Sequence, residues 1–136
     1  MNRHWPGPSA LGDFEFGDPL ADAMLLDQGP IKAPLCGLRV GRVSGPDAVN
    51  FIHAQFTADC RALPPATHRL TAWCSPKGRV LFAPQLVASA EGFHLLLPAA
   101  QSDAFARRLR MYVLRARVEI DEPGASHGVM LLAGPH

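Results

Sequence analysis

The stretch CSPKGRVL, residues 74–81, groups a thiol, a lysine and an arginine around a glycine, so it could hold a phosphate or activate a nucleophile. A Walker-type phosphate loop needs GxxxxGK[ST], in which backbone amides surround the phosphate and the lysine reaches it. Here Lys77 precedes Gly78, and the upstream glycine of that motif is absent. The sequence also contains no GxGxxG fingerprint and no GxSxG nucleophile elbow. Pro76 and Gly78 instead favour a hairpin turn with charged residues at its tip.

The other reactive side chains do not follow a metal or disulfide pattern. The three cysteines, Cys36, Cys60 and Cys74, include no CxxC pair, and the six histidines show no HxxxH spacing. This predicts reduced, partly buried thiols, with no metal site and no catalytic residue among these groups. Five arginines between positions 107 and 117 could form an anion-binding patch with Lys77 and Arg79, or simply a solvated helix face. The residues alone leave both interpretations open.

Composition limits the class of protein. The chain has 136 residues, 48% of them hydrophobic and 18% charged, which suits one globular domain with a real core. The formal net charge of +1 gives no overall electrostatic reason for direct nucleic-acid or membrane binding. No apolar run approaches the roughly 20 residues that span a bilayer. We therefore expect a soluble, cytoplasmic protein that binds neither nucleic acid nor membrane directly.

Two regions differ in pattern. Residues 1–36 form a Pro/Gly-rich lead-in with a short helix at 18–29, in which Asp18 caps and Pro19 takes the first position. Residues 37–136 alternate strands with helices. The predicted strands are 37–45 with a bulge at Gly41, 68–74, 78–88 with Pro84 at a bulge or edge, 92–98, 115–121 and 127–136. The predicted helices are 45–56, capped at Gly45, and 102–113, capped by Ser102, and a turn is predicted at 123–126.

These elements predict an α+β fold: a mainly antiparallel sheet of about five strands with two main helices packed on it. The segments GLRVGRVSGPDA and HGVMLLAGPH both run from a strand into Gly-Pro. In the first copy a helix begins at the proline, whereas the second copy ends the sequence. We therefore expect residues 37–136 to be a module that stops at the start of a following one.

Three segments in order resemble one family. They are RVSGPDAVNFIHAQFTADC, WCSPKGRVLF and RLRMYVLRARVEI. They are similar to the folate-binding aminomethyltransferase-like family, which includes the glycine-cleavage T-protein and the YgfZ-type proteins of iron–sulfur cluster maintenance. The resemblance covers about residues 37–134 and implies the fold of the aminomethyltransferase folate-binding domain.

Departures from the family pattern indicate a branch. T-proteins carry an Asp pair just after the hairpin, one of which assists aminomethyl transfer, whereas Phe82 and Ala83 stand here. Neither side chain can accept a proton, which argues against that chemistry. The KGC[FY]xGQE signature of YgfZ-type proteins does not occur, and Leu38 stands near the position of a tryptophan that contacts folate in some members.

The resemblance implies the N-terminal folate-binding module of a YgfZ-like accessory protein for iron–sulfur cluster assembly or repair, a role that in some members supports tRNA modification. Its cofactor would be tetrahydrofolate, and its partners would be iron–sulfur proteins or their assembly factors. The alternatives are a tetrahydrofolate-dependent aminomethyltransferase and an interaction module without a ligand. We also expect self-association through exposed apolar surface.

The matched segments imply a ligand site. Cations would hold the glutamate tail of folate, and amide or carboxylate groups would lie near its pterin ring. Lys77, Arg79 and Arg115 are predicted for the tail, and Gln55, Thr57 and Asp59 for the ring end. The full predicted site is Gln55, Thr57, Asp59, Lys77, Arg79, Tyr112 and Arg115.

Overall fold

A computed structural model describes Met24, residues 29–121 and residues 127–133. The chain divides into two compact units, one of residues 1–36 and 128–136 and the other of residues 37–127. The predicted helix at 18–29 lies almost wholly outside the described residues, and the predicted turn at 123–126 lies entirely outside them. No helix in the described ranges combines the length and the apolar composition that a membrane crossing requires.

In the described part of the first unit, two strands pair antiparallel. Strand β1 (Ile31–Pro34) runs beside β9 (Met130–Ala133), and the pairing is extended where the Leu35 N–H donates to the Val129 carbonyl at 2.9 Å. Strand β9 lies within the predicted terminal strand, whereas β1 was not predicted. The first unit, which contains residues 1–36, also contains β9.

The second unit contains a five-stranded antiparallel sheet in the order β3-β6-β7-β2-β8. Its strands are β2 (Leu38–Ser44), β3 (His68–Leu70), β6 (Gln85–Ser89), β7 (Gly92–Pro98) and β8 (Glu119–Ile120). Helices α1 (Ala48–Gln55) and α2 (Ala99–Arg110) contact its two central strands. The predicted fold is therefore confirmed.

The core lies between the helices and one face of the sheet. Along β7, Phe93, Leu95 and Leu97 are buried while the intervening His94 is half-buried, which is the two-residue period of a strand with one covered face. These side chains join a single apolar cluster, to which the helices contribute Ala48, Phe51, Ile52, Phe105 and Leu109. Burying each large apolar side chain contributes roughly 1.5–3 kcal/mol, so the packing of these side chains holds both helices on the sheet.

A separate small sheet carries the basic hairpin. Strand β4 (Trp73–Cys74) pairs with β5 (Val80–Phe82). The sequence predicted continuous strands at 68–74 and 78–88, but both are divided, the second of them at Pro84. Pro84 has no N–H for a ladder, and its carbonyl instead accepts the Thr71 N–H at 3.2 Å. At Pro84 the chain thus passes from the small sheet to the five-stranded sheet.

Four local predictions were wrong. Gly45 does not cap α1, because that helix begins at Ala48 and its N-cap residue is Asp47. Gly41 is not a bulge, because β2 and β7 stay in register from Leu38–Pro98 to Ser44–Gly92. Ser102 does not cap α2, because the helix starts at Ala99, directly after β7, and the Ser102 hydroxyl donates to the Ala99 carbonyl at 2.8 Å. The strand predicted at 115–121 is only two residues long.

Candidate functional site

The hairpin tip is a closed turn that presents two cations. The Ser75 N–H donates to the Arg79 carbonyl and the Gly78 N–H donates to the Ser75 carbonyl, both at 2.8 Å. Gly78 has φ +78°, a conformation that favours glycine. Lys77 and Arg79 are exposed. The turn predicted from PKG is confirmed, and both of its charged side chains are exposed to solvent.

Aromatic side chains fix the root of the hairpin. Trp73 on β4 is only 3% exposed, and its ring lies 5.8 Å from Phe82, 5.8 Å from Phe105 and 5.3 Å from Tyr112. Such pairs contribute about 0.5–1.5 kcal/mol each beyond the area they bury. Phe82, at the position of a T-protein aspartate, is therefore a packing residue of this cluster. A phenylalanine side chain has no ionisable group and cannot act as an acid or a base.

The rim of this cluster combines an exposed ring with a cation. Tyr112 is 42% exposed although its ring edge packs on Trp73. The Arg108 guanidinium carbon lies 5.9 Å from the centroid of the Trp73 ring, at the distance of a cation–π contact. Within the described residues, the buried Nε of Arg108 has no hydrogen-bond partner. Sequence reasoning did not place Arg108 in the site.

Thr57 ties the loop after α1 to the start of the hairpin. Its N–H donates to the Ala72 carbonyl at 2.9 Å, and its hydroxyl accepts the Ala72 N–H at 3.0 Å. The buried Thr71 hydroxyl accepts the Ala58 N–H at 3.1 Å. Thr57 therefore has a structural function. Its partner Ala72 directly precedes Trp73 in the sequence.

Asp59 and Gln55 lie elsewhere on the same loop and helix. An oxygen of Asp59 accepts the Arg61 N–H at 3.1 Å and lies 3.3 Å from Nδ1 of His53, while Gln55 ends α1. The neighbouring Cys60 thiol is buried and donates to a carbonyl at 3.2 Å. Burial raises the pKa of this thiol, and the charge of Asp59 adds to the rise. Burial and a raised pKa both make this thiol a poor nucleophile.

The contacts bring only part of the predicted site together. Thr57 and Tyr112 both reach the root of the hairpin whose tip carries Lys77 and Arg79. Arg115 lies exposed shortly after Tyr112, whereas Asp59 is held by residues of its own loop. Ligand binding by these residues stays a prediction.

A joint between two of the family-like segments was not predicted. Gly45 has φ +112°, and a Cβ there would meet the Arg117 carbonyl oxygen at 2.5 Å. Asp47 accepts the Arg117 N–H at 2.8 Å and its Nε–H at 3.2 Å. The hydrogen bonds from Arg117 lower the pKa of Asp47, and Asp47 raises the pKa of Arg117. The only sequence signal was the spacing of the glycine and the aspartate in GPDA.

A polar cavity of about 270 Å³ lies on the sheet, away from the hairpin residues. Its lining includes Arg42, Glu91, His94 and His127, and the two imidazole rings are 4.9 Å apart. Arg42 pairs with Asp121 at 2.9 Å and with Glu91 at 3.2 Å. Burial lowers the pKa of His94, and His127 and Arg42 add to this effect. No three His, Cys, Asp or Glu side chains in the described ranges are arranged to hold a metal ion.

Comparison with solved structures defines the class of fold. The chain matches the crystal structure of the glycine cleavage system aminomethyltransferase T from Bartonella henselae with a TM-score of 0.71 and 19% identity. The match covers 85% of this chain and 32% of that one. The fold is thus that of an aminomethyltransferase T, as the resemblance implied.

The sequence comparison is more specific. The chain is 31% identical over 107 residues to the tRNA-modifying protein YgfZ of Pectobacterium carotovorum, a match that covers 79% of this chain and 31% of the relative. It is 32% identical over 89 residues to the YgfZ of Edwardsiella ictaluri, covering 64% and 27%. No protein-family model matches the chain. The resemblance to YgfZ-like and T-protein-like proteins is confirmed, and the chain spans about a third or less of the length of these curated relatives.

Proposed function

We propose that the chain is the folate-binding module of a YgfZ-like accessory protein and that its ligand is tetrahydrofolate. One observation carries the proposal: one hairpin exposes Lys77 and Arg79 at its tip and packs Trp73, at its root, on the partly exposed ring of Tyr112, in a chain with YgfZ-like sequence and the aminomethyltransferase T fold. Folate combines a flat ring system with a carboxylate tail. An exposed aromatic ring at the root and exposed cations at the tip of one hairpin fit both parts.

The cations would bind the tail. Lys77 and Arg79 form no ion pair with any described residue, so neither charge would have to leave a protein carboxylate to meet a ligand carboxylate. Arg115 is exposed on the chain that follows Tyr112 and would add a third positive charge. A hydrogen bond to a charged group contributes about 1.5–3 kcal/mol when it is made in a partly desolvated site.

The ring would lie toward the loop after α1. Gln55 and Asp59 would supply amide and carboxylate groups there, whereas the Thr57 hydroxyl already accepts the Ala72 N–H. The Arg108 Nε, which lacks a partner in the described residues, would lie close to the Trp73 ring. When bound, tetrahydrofolate would supply one-carbon carrier chemistry, and the residues on this chain would only hold and orient it.

Isothermal titration calorimetry of the chain with tetrahydrofolate tests this site. The double variant Lys77→Ala/Arg79→Ala should bind about tenfold more weakly, because it loses on the order of 1.4 kcal/mol or more of charge-assisted contact. Arg69→Ala, which removes an exposed cation from β3, is the matched control and should bind normally. Equal affinity in the double variant and the control would remove the hairpin from the site. Absence of binding to the unaltered chain would favour an interaction module without a ligand.

The cellular role follows from the relatives and is also a proposal. We propose a cytoplasmic accessory function in iron–sulfur cluster assembly or repair that supports tRNA modification, with iron–sulfur proteins or their assembly factors as partners. The support is the similarity to proteins described as tRNA-modifying YgfZ. Mass spectrometry of tRNA nucleosides from cells lacking the protein should show fewer modifications that depend on iron–sulfur enzymes. Unchanged tRNA modification would contradict this role.

An aminomethyltransferase is the rival enzyme. Phe82 lies within the aromatic cluster and Ala83 has no ionisable group, so the hairpin has no base beside a bound folate. An assay that supplies an aminomethylated carrier protein and tetrahydrofolate should therefore yield no methylenetetrahydrofolate. Turnover above the uncatalysed rate would reverse this conclusion.

Self-association is a separate proposal. Strand β9 exposes Met130, Leu131 and Leu132, and exposed apolar strands favour pairing with other chains. Light scattering should show a mass that rises with concentration, and Leu132→Lys should lower it. A constant monomer mass would contradict the proposal.

A further inference from the structure

Positive charge is concentrated in one stretch of the second unit. Residues 60–118 contain nine lysines and arginines but only two carboxylates, Glu91 and Asp103, although the whole chain has a net charge of +1. Glu91 pairs with Arg42, which lies outside this stretch. Most of these positive charges are therefore not neutralised by neighbouring acids in the sequence.

The end of α2 displays part of this charge. Arg107 is exposed on the last turns of the helix and Arg115 lies exposed just beyond it. Neither side chain forms a hydrogen bond or an ion pair with another residue in the described part of the chain. By contrast, Arg117 is paired with Asp47. The two arginines are thus available to an external acid.

Large apolar side chains lie between these arginines. Met111 is 65% exposed and Leu114 is 86% exposed, on either side of the partly exposed Tyr112. Three exposed apolar residues within four positions are a local concentration of apolar side chains, in contrast to single exposed ones. We name the five residues Arg107, Met111, Tyr112, Leu114 and Arg115 the α2 shoulder.

The shoulder has a defined shape. The N–H groups of Met111, Tyr112 and Val113 donate to carbonyls of the last helical turn at 3.0–3.2 Å. Leu109 is buried and Val113 packs against the core on the inner side. The exposed side chains are therefore held outward by a backbone that is hydrogen-bonded and anchored from within, which lowers the entropy that a partner would have to overcome.

We propose that the α2 shoulder docks an acidic, amphipathic segment of a partner protein. Met111 and Leu114 would enter the apolar stripe of that segment, and Arg107 and Arg115 would pair with carboxylates flanking the stripe. The two most exposed apolar side chains, Met111 and Leu114, are aliphatic and match an apolar stripe on a protein segment, whereas unstacked RNA bases would use only the Tyr112 ring and the guanidinium planes. Charge complementarity sets the sign of the partner.

The α2 shoulder overlaps the proposed folate site at two of its five residues. Arg107, Met111 and Leu114 are not residues of the proposed folate site, whereas Tyr112 and Arg115 are shared. A substitution at Met111 or Leu114 should therefore leave the affinity for tetrahydrofolate unchanged. This allows the two proposals to fail independently.

Fluorescence anisotropy with three labelled probes tests the shoulder on the full chain. The first is a synthetic helical peptide of glutamate and leucine with its leucines on one face, the second is an isomer of the same composition without an apolar face, and the third is poly(U) RNA. The first peptide should bind at least tenfold more tightly than its isomer, and raising the salt should weaken both. Equal affinity for the two peptides, or tighter binding of poly(U), would overturn the proposal.

Variants locate the binding on the surface. Met111→Ser/Leu114→Ser should lower affinity for the amphipathic peptide about tenfold and leave the isomer unaffected, while Arg107→Gln should weaken both peptides about threefold. Leu70→Ser is the matched control, since Leu70 is 77% exposed on β3. Thermal melting confirms that each variant folds. A loss with Leu70→Ser as large as that with the shoulder variant would place the binding elsewhere and overturn the assignment.

Discussion

Two turns of this protein share residue types but use them differently. The joint at Gly45–Asp47 and the hairpin tip at Ser75–Arg79 each combine a glycine of positive φ with charged side chains. At the joint the charge of Asp47 pairs with Arg117, whereas at the tip Lys77 and Arg79 point to solvent. Both turns lie in segments that carry the family resemblance. The contrast separates residues that hold the fold from residues that remain available to a ligand.

The largest contrast should come from the two glycines. In Gly45→Ala, the new Cβ would lie 2.5 Å from the Arg117 carbonyl oxygen in a left-handed conformation. Backbone strain and the forced displacement together should lower the free energy of unfolding by about 3 kcal/mol or more. Urea denaturation measures this change.

Gly78→Ala is the matched substitution at the tip. A Cβ there would meet no atom within 4 Å, so only the conformational penalty at φ +78° remains. This costs roughly 1–2 kcal/mol. If both variants lost the same stability, the tip would be as constrained as the joint and the distinction between them would be lost.

The next effect concerns the connection between α1 and the hairpin. Thr71→Val keeps the shape of the side chain but removes the acceptor for the Ala58 N–H. Leaving that partly buried amide without its partner, beside the buried side chain at position 71, should cost about 1–3 kcal/mol in urea denaturation. Thr57→Val, at an exposed position, should cost less because water can reach the Ala72 N–H that it releases. A larger loss at Thr57 would show that the two threonines have been ranked in the wrong order.

The fold was predictable where the pattern is local. The strand at 92–98 alternates buried and half-buried side chains and was predicted with its observed bounds. Strand β1 was not, because IKAP is short, contains a proline and pairs with a strand about a hundred positions away in the sequence. The division of the hairpin arms likewise depends on the long-range bond from Thr71 to Pro84.

The site was predictable only at the turn. PKG predicts a tight turn from local backbone preferences, and the structure confirms it. The structural use of Thr57 depends on Ala72, and the contact of Tyr112 depends on Trp73, both from distant segments. Residue types in a motif therefore predicted where charges lie, but not which side chains already have a partner within the protein.

Titration of the joint should give a smaller effect. The hydrogen bonds from Arg117 hold the pKa of Asp47 below its ordinary value of 3.8. A carboxylate with a lowered folded-state pKa stabilises the protein above its unfolded pKa and loses this contribution as the pH falls through the folded pKa. The stability difference between the unaltered chain and Asp47→Asn should therefore be constant near neutral pH and shrink below about pH 4. A difference that stays the same down to acidic pH would deny the joint its ion pair.

The smallest effect on stability should occur at the tip, and it completes the contrast with the joint. Lys77→Ala and Arg79→Ala remove exposed side chains that form no hydrogen bond or ion pair with a described residue, so the free energy of unfolding should change by no more than about 0.5 kcal/mol. Urea denaturation and calorimetry on the same samples would then separate folding from binding. Retained stability with weakened tetrahydrofolate binding fits a cation whose partner is a ligand. A clear loss of stability would instead mean that the tip, like the joint, contributes its charges to the fold.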